Sequence, residues 1–258
     1  ASDVYKRQPD GNLGTSLSSQ PRDCSTHGTH TMGTSVGNAN TSGTQIGMAP
    51  NAQWIAIPGI CYGTMSGGIR DDIGGLKAFQ WLLCPTDLTG NRQTANCAKA
   101  PDVVNNSWGS ANPLNDVLRP AIQALRAMNI APVFASGNPR AGAGSIGTPA
   151  NAPEAITVGA TDRDDLVASF SGRGPSFYEG EQKPELSAPG VNVKSSVSSN
   201  NYDVYSGTSM AAPHVTGLIA LMISADLRDG VRDFTVDELE KFMTSTAVDL
   251  GELGPDND

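Results

Sequence analysis

Basic side chains are in short supply: 17 Lys and Arg face 26 Asp and Glu, a net charge of -9. Such a chain lacks the electrostatic footprint needed to compete for phosphate backbones, so nucleic acid is excluded as a partner. A long apolar run is missing too. The most apolar stretch, Val215 to Ile223, is bounded by Pro213, His214 and Asp226, well short of the roughly 20 residues a spanning helix needs. No membrane segment is expected. The 29 glycines and 17 prolines stay below the level that marks low complexity or collagen. With 38% hydrophobic residues in 258, one large α/β domain can bury most of its unfolded surface without obligatory disulfides.

The N-terminal eight residues, ASDVYKRQ, have no periodicity and back-translate to GCG TCA GAT GTG TAT AAG AGA CAG, which resembles a sequencing-library transposon adapter. Residues 1–8 are therefore expected to be a non-native scar, and residues 9–258 a partial domain whose N-terminal part is missing. The polar, uncapped end LGELGPDND fits truncation as well.

No internal repeat or long linker divides the chain. Short apolar runs ending in turn formers, AQWIAIPGI from Ala52, PDVVNNSW from Pro101, IAPVFASGN from Ile130 and AITVGAT from Ala155, read as buried strands. Between them, IRDDIGGLKAFQWLL sets Ile69, Ile73, Leu76, Phe79 and Leu83 at helical spacing. NDVLRPAIQALRAMN does the same with Val117, Ile122, Leu125 and Met128. Alternation of this kind predicts a mainly parallel sheet with helices on both faces and chemistry at the carboxyl ends of its strands. ASFSGRGP and KSSVSSNNYDVYSG read as edge strands and hairpins.

Three clusters carry chemistry. The first holds two of the three histidines, His27-Gly28-Thr29-His30. An isolated histidine here would read as a helix-start residue that caps or hydrogen-bonds. A metal pair is excluded, because no acid or cysteine stands at the spacing a zincin requires. The second is Gly207-Thr208-Ser209-Met210-Ala211-Ala212-Pro213-His214. Small neighbours leave the Ser209 hydroxyl exposed at a helix N-terminus, where free amides and the dipole favour negative charge; the plainer reading is an N-cap at Thr208 or Ser209. The third, Phe134-Ala135-Ser136-Gly137-Asn138, ends a strand in an amide. Asparagine there is usually a turn residue, yet it also supplies a non-titrating donor to a developing oxyanion.

HGTHTMGT, SGN and GTSMAAPHV, in this order, with NNSWGS, FSGRGP and LSAPG between or around them, resemble the subtilase family of serine endopeptidases, within it the bacillopeptidase-F-like branch. The resemblance covers nearly all of residues 24–258 and implies a three-layer subtilisin-like α/β fold acting on polypeptides through an acyl-enzyme. It makes Ser209 the nucleophile, His27 the general base and Asn138 the oxyanion donor beside the Ser209 N–H. Ser107-Trp108-Gly109 and Ala135-Ser136-Gly137 match the strips that pair with an extended substrate and wall its pocket, a β-augmentation that implies broad specificity. His30 and His214 match motif positions but are expected to pack and hydrogen-bond around the site. Calcium is implied by the resemblance alone, with no loop to assign it to; a secreted monomer is expected.

The same resemblance implies an acidic partner for His27 on an upstream strand, in an Asp-Thr-Gly or Asp-Ser-Gly setting. The chain has no such segment. Asp3 lies in the scar, Asp10 in a Pro-Asp-Gly turn, and Asp23 too close to His27, so none is assigned. In subtilisin itself, a member of the resembled family, loss of that aspartate costs about 3 × 10⁴ in kcat. The 258 residues are accordingly expected to be a very poor catalyst lacking a central strand. A catalytically dead binding or scaffold protein is the alternative. An α/β-hydrolase elbow around Ser209 is excluded, because His214 sits only five residues on and on the same helix. Cys84 and Cys97 bracket a polar loop and suit a local bridge, which leaves Cys24 with Cys61; buried free thiols are the other reading.

Overall fold

The computed structural model describes residues 23, 25–38, 45–57, 72–87, 90–139, 142–199 and 201–249. Its helices are α1 His27–Val36, α2 Asp72–Leu83, α3 Arg119–Ala127, α4 Thr208–Asp226 and α5 Val236–Thr246. The strands are β1 Val103–Asn106, β2 Ala131–Ala135, β3 Ile156–Thr161, β4 Leu186–Pro189, β5 Val193–Val197 and β6 Asn201–Tyr205. β1 to β4 form one parallel sheet in chain order, and β5 with β6 an antiparallel hairpin.

The sheet is covered on both faces, and β2 shows how its residues arrange this. Ala131, Val133 and Ala135 pack with Ile156, Val158, Ile219 and Ile223 toward α4 and α5. Phe134 points the other way, to Phe79 and Leu82 of α2 and to Ile122 and Leu125 of α3. Successive side chains of a strand face opposite sides, so one apolar run serves two cores. Each fully buried Val, Leu, Ile or Phe contributes about 1.5–3 kcal/mol. The layered α/β fold is that of the expectation.

Individual elements differ from it. Residues 52–57 form no named strand and carry a single bridge, at Ala56, with Ile55 and Ile57 packed against the core under α2 and α3; residues 58–60 of that run lie outside the described residues. ASFSGRGP is irregular rather than a strand: Ser171 N–H turns back to the Ala168 carbonyl, and only Val167 bridges to Thr161. β4 emerges from LSAPG with no apolar alternation to announce it. It is an edge strand, where Pro189 removes no needed donor. Ile73, Val117 and Met128, expected to face the core, are 62%, 43% and 56% exposed. Val117 precedes α3 and Met128 follows it, so the helical spacing there ran past the helix.

α4 and the turn after it, Thr208–Asp229, are long and apolar enough to cross a membrane by length and composition, more than the run Val215 to Ile223 suggested. Half of that window is buried in the protein, against the sheet and α1.

Cys84 and Cys97 form a disulfide closing the loop between α2 and β1. Cys24 and Cys61 lie outside the described residues, as do residues 1–8. Under the sheet, fully buried Lys183 donates to the Ala155 carbonyl at 2.5 Å and pairs with Glu185. Burial pushes the Glu185 carboxyl up to about 7 while the Lys183 ammonium pulls it down.

Candidate active site

Parallel strands deliver their carboxyl ends to one edge of the sheet. β1 ends there and leads into Ser107, β2 ends there and leads into Asn138, and α4 starts there with Ser209 in its first turn. The hairpin β5–β6 runs into the same place, since only Ser206 to Thr208 separate Tyr205 from Ser209.

Ser209 is held through its backbone. Pro213 stands four residues along α4 and has no N–H to give the Ser209 carbonyl, which a helix would otherwise require. The Ser107 hydroxyl supplies the missing donor at 2.8 Å, and Asn105 Nδ2 donates in turn to Ser107 Oγ at 3.0 Å. Ser209 Oγ donates back to the Ser107 carbonyl at 3.3 Å, and the residue is partly exposed.

Asn138 is oriented by its neighbour in space. Its Oδ1 accepts from the Thr208 amide at 2.9 Å and the Thr208 hydroxyl at 3.1 Å, and Thr208 Oγ1 accepts from the Gly137 N–H at 3.1 Å. With two donors facing the oxygen, the amide nitrogen is turned away from Thr208. At Gly207, φ 156°, a Cβ would stand 3.6 Å from Asn138 Nδ2 and 3.7 Å from the Ser209 nitrogen. These are ordinary contact distances, as is the 3.6 Å to Asn138 Oδ1, so the positive φ rather than lack of space is what favours glycine here. Sequence reading saw Thr208 only as a cap; its orienting role depends on a contact across 70 residues that no local pattern signals.

His27 opens α1, which packs against α4 through the bond from Ser35 Oγ to the Pro213 carbonyl, 3.2 Å. The preceding Thr26 has φ 62° and gives no side-chain cap. Asp23 caps the turn instead: its carboxylate accepts from Ser25 N–H at 3.0 Å and from the Thr29 N–H and hydroxyl, both at 2.6 Å. Burial raises the Asp23 carboxyl, but these donors and the nearby His27 outweigh it and hold the group below its usual range. Burial pushes the His27 imidazole below 6.5, with Asp23 pulling it part of the way back. No hydrogen bond joins His27 to Ser209 or to Asp23, and no described carboxylate accepts from the imidazole. α1 and α4 are packed together without a hydrogen bond between the two candidate catalytic side chains, His27 and Ser209. Such contacts are often long before substrate arrives.

The other two histidines are structural neighbours of the site. His30 is fully buried, with Nε2 3.1 Å from the Val193 carbonyl and its ring stacked on Tyr205. His214 Nδ1 lies 2.9 Å from the Met210 carbonyl within α4.

The two candidate substrate strips differ. Gly109 is exposed, while the Trp108 ring turns into the core at 5.8 Å from Phe134 and 6.1 Å from Phe79, locking the strip from behind. In Ala135-Ser136-Gly137, the Ser136 N–H goes to the Val158 carbonyl at 3.0 Å and the Gly137 carbonyl accepts from Gly172 N–H at 2.9 Å. The second strip is thus largely committed to the fold.

The model for the Subtilase family matches residues 5–258. The chain belongs to the subtilase family. It is 45% identical over 235 residues to bacillopeptidase F of Bacillus subtilis (strain 168), covering 89% of this chain and 15% of that protein. It is 35% identical over 219 residues to subtilisin Savinase of Lederbergia lenta, covering 83% of this chain and 71% of the relative. The alkaline protease of Alkalihalobacillus alcalophilus is 36% identical, with 83% of this subtilase chain and 50% of the relative aligned. The chain thus spans a small part of one of these relatives and half of another. Among solved structures, a cold-adapted subtilisin-like serine proteinase superposes with a TM-score of 0.66 at 29% identity, covering 87% of this chain and 69% of that one. Sphericase gives 0.71 at 24% identity, covering 95% and 80%, a likeness of fold.

Proposed function

We propose that this subtilase chain carries the nucleophile, base and oxyanion donors of a serine endopeptidase. The observation that supports the reading is that the Asn138 side chain, its Oδ1 held by Thr208, and the Ser209 backbone nitrogen border one spot beside Gly207 at the start of α4. An amide side chain and a backbone N–H bordering the start of a helix are the donor types a tetrahedral oxyanion requires.

Ser209 Oγ attacks the scissile carbonyl and forms the C–O bond as its proton passes to His27. The carbonyl oxygen takes the negative charge beside the Asn138 amide and the Ser209 N–H. Collapse expels the amine, which takes the proton from His27, and water repeats the sequence to free the acid. For the first step, Ser209 must leave the Ser107 carbonyl and turn to His27. An extended polypeptide lying along Ser107-Trp108-Gly109 would be held by its main chain, which favours broad specificity.

All these steps use protein groups. Calcium, implied by the resemblance, would be structural; no cluster of three or more His, Cys, Asp or Glu occurs among the described residues, and none is assigned. The disulfide and the acidic balance support an extracellular setting.

The dead-fold alternative draws on the open His27–Ser209 contact and the unassigned acidic partner. Casein digestion separates the readings. Slow hydrolysis that disappears in Ser209→Ala supports the peptidase, no hydrolysis by either protein supports the binding protein, and an equal rate in both removes Ser209 as the nucleophile.

A further inference from the structure

Thr26, immediately before His27, is a β-branched residue in the left-handed region, φ 62° and ψ -15°. Such a conformation persists only where the surroundings hold it. Asp23 holds one side of this turn. The other side is held by the hairpin that leads into the nucleophile. The Tyr205 hydroxyl lies 2.8 Å from Thr26 Oγ1, and its ring stacks on His30 at 4.4 Å and 14°. Ser195 Oγ donates to the His30 carbonyl at 2.8 Å, and Ser196 Oγ to the Thr29 carbonyl at 3.1 Å. Gly33 permits this approach, since a Cβ there would fall 2.2 Å from Ser196 Oγ.

We propose that Tyr205 is a positioning residue: its hydroxyl bond to Thr26, backed by its stack on His30, braces the His27 turn against the segment that carries Ser209. The assignment of what is positioned rests on the peptidase reading above, but the brace is a statement about the surroundings of His27. A two-stranded hairpin is marginal by itself, and here each strand is spent on the first turns of α1. Packing alone would need only the ring. The hydroxyl, aimed at the strained residue before the base, is the part that packing does not explain.

The test is a histidine-ring NMR titration of the whole chain, in which three residues give three curves assigned through His→Gln variants. The ionisable groups around His27 are Asp23 and His30, with Asp203 of β6 acting on His30. Tyr205→Phe keeps the ring and deletes the bond; Thr26→Val deletes it from the other side; Thr26→Ser retains it. A freed turn admits water and relieves the burial that depresses the imidazole. His27 should therefore titrate higher, toward 6.5, in Tyr205→Phe and in Thr26→Val. The double variant should move no further than either single one, the signature of a shared contact. Thr26→Ser and the His214 curve should stay in place. Unchanged His27 curves in both deletions, or additive shifts in the double variant, would overturn the brace. Failure of the peptidase reading appears elsewhere, as no reaction of Ser209 with a fluorophosphonate in the unaltered chain.

Discussion

Asn138 Oδ1 accepts from both the amide and the hydroxyl of Thr208, at 2.9 and 3.1 Å, so Thr208 orients the amide proposed as the oxyanion donor. Asn138→Ala should lower kcat by about 10²–10³, the loss known for this donor in subtilisin, with a small change in KM. Thr208→Val removes one orienting bond of about 0.5–1.5 kcal/mol and should cost between a few-fold and about tenfold. Steady-state kinetics on a peptide substrate checks both. A Thr208→Val loss as large as that of Asn138→Ala would assign Thr208 a direct part in the chemistry.

Ser107 and Pro213 are coupled through one carbonyl. Ser107→Ala leaves the Ser209 oxygen without its hydroxyl donor and should destabilise the chain by about 1–3 kcal/mol in urea unfolding. Pro213→Ala restores an amide four residues after Ser209. Adding it to Ser107→Ala should recover part of the loss, and strict additivity would refute the coupling.

The pH dependence follows from His27. Its folded value lies below 6.5, so the neutral base persists below that pH, and the acid limb of kcat/KM should reach half-height under 6.5. For stability, the unfolded imidazole binds its proton more tightly than the folded one. The His27 contribution is intact above 6.5 and is lost as pH falls from 6.5 through the folded value. Unfolding free energies of the chain and of His27→Gln should therefore shift in favour of the variant on acidification. A difference that is flat or of opposite sign would contradict the burial of His27.

Lys183→Met removes the ammonium that holds the Glu185 carboxyl down, so the group is buried protonated with lost hydrogen bonds; the variant should lose about 1–3 kcal/mol at neutral pH, and more as pH rises and the carboxyl is forced to ionise. Chemical unfolding measures it, and a near-neutral effect would show that water reaches Glu185.

Much of this was legible because the chemistry-bearing motifs are local. Ser209 sits among small residues before an apolar helix, Asn138 follows a strand of continuous apolar character, and both patterns survive folding unchanged. The crossover helices showed in the spacing of Phe79, Leu83, Ile122 and Leu125. What escaped depends on partners distant in sequence. β4 exists because β3 offers it a hydrogen-bonded edge, not because Leu-Ser-Ala-Pro favours a strand. Residues 52–57 have strand character yet show only a bridge at Ala56, their isoleucines packing on the α2 and α3 core. Thr208, Ser107 and Tyr205 act through atoms 70, 102 and 179 residues away. Asp23, set aside as too close to His27 to orient its ring, caps the turn from which that ring projects.

The most direct measurement is covalent labelling of the chain with a fluorophosphonate, mapped by mass spectrometry. The account predicts phosphonylation at Ser209, greatly slowed in His27→Ala and in Asn138→Ala. Labelling at another serine, or at Ser209 with a rate indifferent to both substitutions, would contradict it.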